Sequence, residues 1–331
     1  MTDLLTLSAL SVLLVSFGVG IVVGLTGMGG GALMTPALIF LGVNPSVAVA
    51  NDLVAASVNK SVGAAVHWRV GRPNLRLAGL LICASVPTAF AGAFIVRAVG
   101  NVGDQEAFLK QALGFALLFT ASTYALRMYL QLRYVTAGNT LHLDDPKLRP
   151  IPTLVVGALG GLLVGITSVG SGSLIMVALL LLYPTLSAVR LVGTDLVQAV
   201  PLVLSAAIGH MLVNGVDWSV LIPLIVGGSP GTFLGARIAN WVSQSVIRRG
   251  IVIVLTLTGF TMLGVPPQIV GLLGAALLLL GPLAWGFIRQ TRGLPAFDNN
   301  AAAWRITDQP PETPPAESTP AETSQPRSDS T

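Results

Sequence analysis

Three formally charged side chains stand well inside apolar stretches of this 331-residue chain: Asp52, Lys60 and Asp195. In a membrane helix each such charge costs roughly 2.5 to 3.5 kcal/mol on insertion scales, so each is a functional candidate by default. Apolar surroundings favour the neutral form of a carboxyl group, which makes Asp52 and Asp195 candidate proton carriers. Their alternative roles are helix-to-helix hydrogen bonding or holding a bound cation. Lys60 either serves an anionic substrate, pairs with one of the two aspartates, or extends its charge toward the membrane surface. His67 and His210 each follow an aspartate by fifteen residues, about 22 Å along a helix. They cannot touch the aspartate of their own helix, which leaves proton exchange and gating, or capping at a span end, as their roles.

Two glycine-rich segments carry a second kind of chemistry. GLTGMGGGALM, residues 24–34, aligns with GITSVGSGSLI, residues 165–175, at an offset of 141. A helix broken at such a point exposes unsatisfied backbone N–H groups and about half a positive charge at the start of its second part, which is a ready anion site. Gly29, Gly30, Gly31, Gly170 and Gly172 would let backbone amides approach a ligand, and Thr26, Thr167, Ser168, Ser171 and Ser173 would add hydroxyl donors. Two such nests facing one another suit a small oxyanion and suit a cation poorly. The competing reading is a packing face of small residues, because Gly20-x-x-x-Gly24 and Gly161-x-x-x-Gly165 are also helix-crossing motifs.

The elements that must hold these residues are membrane helices. The chain is 53% hydrophobic and 10% charged, against roughly 25% charged in soluble domains, and its mean hydropathy is +0.79. A soluble globular enzyme is excluded. The fold class is all-α and polytopic, with 10 to 11 helical segments at about 4–24, 31–43, 47–67, 76–98, 108–129, 151–166, 172–183, 189–213, 218–240, 250–265 and 268–288. A full span needs about 20 residues, so 31–43, 151–166 and 172–183 read as half-helices or re-entrant pieces. The N-terminus reads as an uncleaved first span, since Asp3 stands where a signal peptide would be basic. The net charge of +4 comes from arginines and lysines in short loops, which places those loops in the cytoplasm and gives no reason to expect nucleic acid. Cys83, the single cysteine, sits in the apolar run LLICASV and reads as a buried, inert side chain. No nucleotide-binding loop, zinc-protease helix or cysteine pair is present, so neither a cofactor nor a resident metal is expected.

The halves of the chain repeat one another. At an offset of 143, Asp52-Leu53-Val54-x-Ala56 falls on Asp195-Leu196-Val197-x-Ala199, His67 on His210, Pro87 on Pro230, Phe90 on Phe233 and Gly92-Ala93 on Gly235-Ala236. This divides the chain into a membrane repeat at 1–129, a polar cytoplasmic linker at 130–150, a second repeat at 151–265, an extra C-terminal helix at 266–292 and a disordered tail at 293–331. Five crossings per half would make the repeats inverted, as in secondary transporters, whose sites lie where broken helices of both repeats meet.

The glycine-rich break after the first helix, the D-L-V-x-A helix ending in His, the NGVDW turn, the Pro and Gly-Ala helix and the duplication of the set resemble the sulfite exporter TauE/SafE family, over about residues 10–290. The resemblance implies an inner-membrane permease, not an enzyme, that moves sulfite, sulfoacetate or another organosulfonate, usually outward. Its partners would be a small anion and the lipid bilayer, with a homo-oligomer compatible. The second break departs from the first, with Ser168, Ser171 and Ser173 opposite Gly27, Gly30 and Ala32; Asn51 stands opposite Thr194, and Lys60 opposite Val203. Two rival readings are a metal or other cation permease using Asp52, Asp195, His67 and His210 as ligands, and a non-transport assembly factor that recruits partners through its tail.

Overall fold

Lipid offers the backbone no hydrogen-bond partners, so each apolar stretch closes its N–H and C=O groups within itself as a helix. The computed structural model describes residues 7–26, 30–70, 73–136, 148–170, 172, 174–183, 186, 188–239, 241–242 and 244–291, with the side chains of 7–8, 62–70, 131–136, 188–189 and 244–245 outside that description. Eleven helices lie among them: α1 Leu7–Thr26, α2 Gly31–Phe40, α3 Pro45–Val70, α4 Leu75–Ala98, α5 Val102–Thr136, α6 Pro150–Thr167, α7 Leu174–Leu182, α8 Ala188–Asn214, α9 Trp218–Ile238, α10 Gln244–Met262 and α11 Pro267–Gln290. Seven are long and apolar enough to cross a membrane.

The segments expected to be short are so in two cases, α2 with 10 residues and α7 with nine. The third differs. Pro150 at the first helical position starts α6 early, so this helix has 18 residues and the length of a span. α5 runs on to Thr136 and takes in the start of the segment read as a linker. The remainder of the linker, at 137–147, and the tail from 292 lie outside the described residues. Cys83 is exposed on the outer face of α4, not buried as expected, because the LLICASV run faces the interior with Leu81 and Ser85 and turns Cys83 away from it.

The principal pairings are α1 with α9, α4 with α6, α4 with α8, α3 with α8 and α5 with α10. Exchanging α1–α5 for α6–α10 turns the α1·α9 pair into α6·α4 and leaves α3·α8 and α5·α10 unchanged. The same exchange holds at single atoms. A Cβ placed on Gly20 would strike the Gly228 carbonyl, and one on Gly161 the Ser85 carbonyl; Gly24 meets Thr232 as Gly165 meets Ala89. These glycines therefore set two matching close helix crossings, α1 on α9 and α6 on α4, as the competing reading of both G-x-x-x-G motifs required. The caps repeat too: the Asn74 side chain accepts the Leu77 N–H at the start of α4, and Asp217 accepts the Ser219 N–H at the start of α9. α11 stands outside this exchange and packs on α10.

Between the halves, a buried cluster joins α3, α4, α6, α7 and α8 through Val49, Leu53, Leu77, Leu81, Ile175, Leu179, Leu191 and Leu202. It holds α3 and α8, the helices of the two aspartates, side by side in the middle of the bundle.

Candidate functional site

Asp52 lies in the third turn of α3, 3% exposed, and hydroxyls from two other elements bear on it. The Thr35 hydroxyl of α2 donates to Asp52 Oδ2 at 2.6 Å, and the Ser168 hydroxyl donates to the same oxygen at 2.8 Å. Ser168 is the residue that stops α6. Its φ of 60° and ψ of 0° are left-handed, and its N–H closes the last helical turn on the Val164 carbonyl at 2.7 Å. Glycine normally fills such a position, because a side chain there costs roughly 1 to 2 kcal/mol. The charge-assisted bond from its hydroxyl offsets that cost.

Gly31 opens α2 with no room for a side chain: an added Cβ would run into the Ser168 carbonyl and come within 2.8 Å of its hydroxyl oxygen. The two glycine-rich breaks thus touch one another, and the residues where they touch bear on Asp52.

The other expected donors are placed differently. The Thr26 hydroxyl turns back to the Val22 carbonyl at 2.8 Å. Thr167 donates to the Leu163 carbonyl at 2.6 Å and accepts the Val169 N–H at 3.2 Å, so it is spent on the turn itself. Gly30 precedes α2 as its cap, and its carbonyl accepts the N–H groups of Leu33 and Met34. Gly170, at φ 109°, makes the turn between α6 and α7, and its carbonyl accepts the Leu174 N–H. Gly172 sits in that same turn. Gly29, Ser171 and Ser173 lie outside the described residues.

Asp195, 6% exposed on α8, accepts a hydrogen bond from the Gln198 side chain at 3.0 Å, one turn further on. Lys60, two turns beyond Asp52 on α3, is near enough to both aspartates to interact electrostatically with each. Arg127 of α5 also reaches Asp195. His210 is fully buried, with Nε2 2.7 Å from the Gly165 carbonyl of α6. It is an interior side chain and not an interfacial cap. The His67 side chain lies outside the described residues. Among the described residues no three of His, Cys, Asp and Glu converge as a metal ion would require.

Reasoning on the sequence missed Thr35 and Gln198 and took Asn51 only as a difference between the repeats. Asn51 is fully buried beside Asp52 in sequence, with neither its amide nitrogen nor its oxygen partnered, and Gln198 keeps an unpartnered oxygen. The available signal was polarity in an apolar helix: an Asn next to one aspartate, a Gln one turn after the other, and a Thr inside the helix that follows the first break.

The family model described as sulfite exporter TauE/SafE matches residues 12–262. The "Probable membrane transporter protein YjnA" of Bacillus subtilis (strain 168) is 36% identical over 232 residues, 70% of this chain and 90% of that protein. A "Probable membrane transporter protein" of Xylella fastidiosa (strain Temecula1 / ATCC 700964) is 32% identical over 247 residues, 73% of this chain and 89% of its own length. No solved structure is a significant match. The matched span takes in both breaks, both aspartates and helices α2 to α10, and on that ground the chain belongs to the sulfite exporter TauE/SafE family and is a membrane transporter.

Proposed function

We propose that this transporter moves a small sulfur-containing anion, such as sulfite, sulfoacetate or another organosulfonate, outward across the cell inner membrane, coupled to the proton gradient. The observation that carries this reading is the meeting of the two breaks at Gly31 and Ser168 over Asp52. An end of α6 and the start of α2 come together there, in the interior, with hydroxyl donors and a carboxyl group. Helix-start N–H groups and hydroxyls recognise oxyanions, and a buried carboxyl group can carry a proton.

The exchange of packing partners between α1–α5 and α6–α10 supports an inverted repeat, in which the site lies between the halves and opens to either side as they rock. Asp52 and Asp195, as equivalent positions on α3 and α8, are then the proton carriers, and Lys60 is the cation that interacts with both. His210 serves this reading by holding the end of α6 in place.

Flux of labelled sulfite, sulfoacetate and taurine in proteoliposomes, with and without an imposed pH gradient, tests the proposal. Saturable movement of one anion that follows the gradient is the expected result. No flux of any of the three, from protein shown to be folded, would overturn it. Removing residues 298–331 should leave that flux intact, whereas a protein acting by recruitment through its tail would fail.

A further inference from the structure

Both hydroxyls that bear on Asp52 spend their protons on a single oxygen. Thr35 Oγ1 and Ser168 Oγ reach Asp52 Oδ2 at 2.6 and 2.8 Å, and a hydroxyl has one hydrogen to donate. Neither can donate to a second anion while the carboxylate holds it. The backbones that carry the donors are held, Ser168 in a left-handed turn with Gly31 lying against its carbonyl, Thr35 within α2. What can change here without moving a backbone is the charge of the carboxylate.

We propose that the Asp52 carboxylate is a tethered anion occupying the Thr35–Ser168 donor pair in the empty transporter, and that a substrate anion replaces it there only when Asp52 carries a proton. This deepens, and rests on, the anion reading given above.

Two physical effects act in the same direction. Two unprotonated anions within hydrogen-bond distance of one pair of donors repel strongly in a buried site, as paired carboxylates do. Protonation removes that repulsion and also turns Asp52 from a pure acceptor into a donor, so the neutral carboxyl group adds a third O–H to the cradle. One proton therefore accompanies each anion into the site.

Few titratable groups surround this donor pair. α2 and α6 contain no titratable side chain, and α9 has none from 218 to 236. Lys60, on Asp52's own helix, is the charged group that reaches it, and Lys60 is shared with Asp195 of α8. Arg127 of α5 acts on Asp195, and His210 of α8, bonded to the Gly165 carbonyl three residues before Ser168, is the further titratable group beside the break, which the Asp52→Asn variant leaves in place.

The test is calorimetric titration of the purified full-length transporter with methanesulfonate, whose charge does not change from mildly acidic to mildly alkaline buffer. In the wild type, affinity should fall by about tenfold for each pH unit once Asp52 is ionised, because one proton is bound with each anion. Repeating the titration in buffers of different ionisation enthalpy should show one proton taken up per anion, a measurement that needs no variant. Asp52→Asn should bind with an affinity independent of pH. Ser168→Ala should bind more weakly at every pH and keep the slope.

A slope that survives in folded Asp52→Asn, or binding without proton uptake in the wild type, would overturn the inference while leaving the anion reading standing. If the wild type binds neither methanesulfonate, sulfite nor sulfoacetate at any pH, the anion reading falls and this inference with it.

Discussion

His210 Nε2 lies 2.7 Å from the carbonyl oxygen of Gly165, in the last turn of α6. In an unbroken helix that carbonyl would accept the Val169 N–H, but α6 stops at Ser168 and the Val169 N–H goes to the Thr167 hydroxyl instead. The histidine of α8 supplies the donor that the break removed, so the end of α6 is held from the opposite half of the protein. His210→Ala should lower stability by roughly 1 to 3 kcal/mol, the cost of leaving a buried acceptor unsatisfied, and His210→Gln, which keeps a side-chain N–H, should lose less. Thermal unfolding in detergent measures both. The pH profile of transport should be unchanged in His210→Gln; a flattened profile with an unaltered melting temperature would instead put His210 on the proton path.

Gly30 and Gly31 are neighbours with opposite surroundings. Among the described residues a Cβ on Gly30 would meet only Val23 Cγ2, at 3.9 Å, whereas one on Gly31 would collide with the Ser168 backbone. Gly30→Ala should therefore transport as the wild type does. Gly31→Ala should push Ser168 away from Asp52 and lose most transport, because backbone yields much less readily than a flexible side chain. Flux measured side by side decides it, and equal loss in the two variants would mean that backbone freedom, and not the contact with Ser168, is what the first break needs.

The helices and the duplicated aspartates were legible in the sequence because hydropathy and repetition are local or periodic properties. All eleven apolar segments form helices, and Gly20, Gly24, Gly161 and Gly165 showed their spacing openly. The site was only half legible. Ser168 and Gly31 were picked out, but which hydroxyls of the breaks would face inward depends on the rotation of each helix end, and Thr26 and Thr167 turn back to carbonyls of their own helices. Thr35 lies 17 residues from Asp52 and Ser168 lies 116 away; such a convergence is fixed by the packing of α2 on α3 and by where α6 ends, and leaves no mark at a single spacing. His210 was misplaced for a related reason, since its distance from the end of α8 gave its height along the helix but not the face it shows to α6.

Thr194 accepts the Asn74 N–H at 2.9 Å and donates to the Arg190 carbonyl at 2.7 Å. It thus fastens the start of α4 to α8, and it is fully buried. Thr194→Val has nearly the same shape but leaves the Asn74 N–H without its acceptor. It should cost about 1 to 2 kcal/mol, read as a lower melting temperature, while Thr194→Ser should remain within a few tenths of a kcal/mol of the wild type. Equal losses in the two variants would point to the missing methyl group and not to the hydrogen bond.

Lys60 interacts with both aspartates, and double variants separate which of the two depends on it. Asp195 has a lasting partner in Gln198, but its carboxylate still depends on a nearby cation in a setting that excludes water. Removing one member of a buried ion pair is costly because the other charge stays behind, and replacing both relieves that cost. Lys60→Met should lower stability by roughly 1 to 2 kcal/mol, less than the roughly 3 to 5 kcal/mol of a fully buried pair because Lys60 is only partly buried, and the double variant Lys60→Met with Asp195→Asn should recover most of it. Recovery in the double variant, measured by thermal unfolding, would assign Lys60 to Asp195. If instead Lys60→Met with Asp52→Asn recovers and the Asp195 pair does not, the cation belongs to the Thr35–Ser168 cradle, and its charge would then act directly on whichever anion, carboxylate or substrate, the two hydroxyls hold.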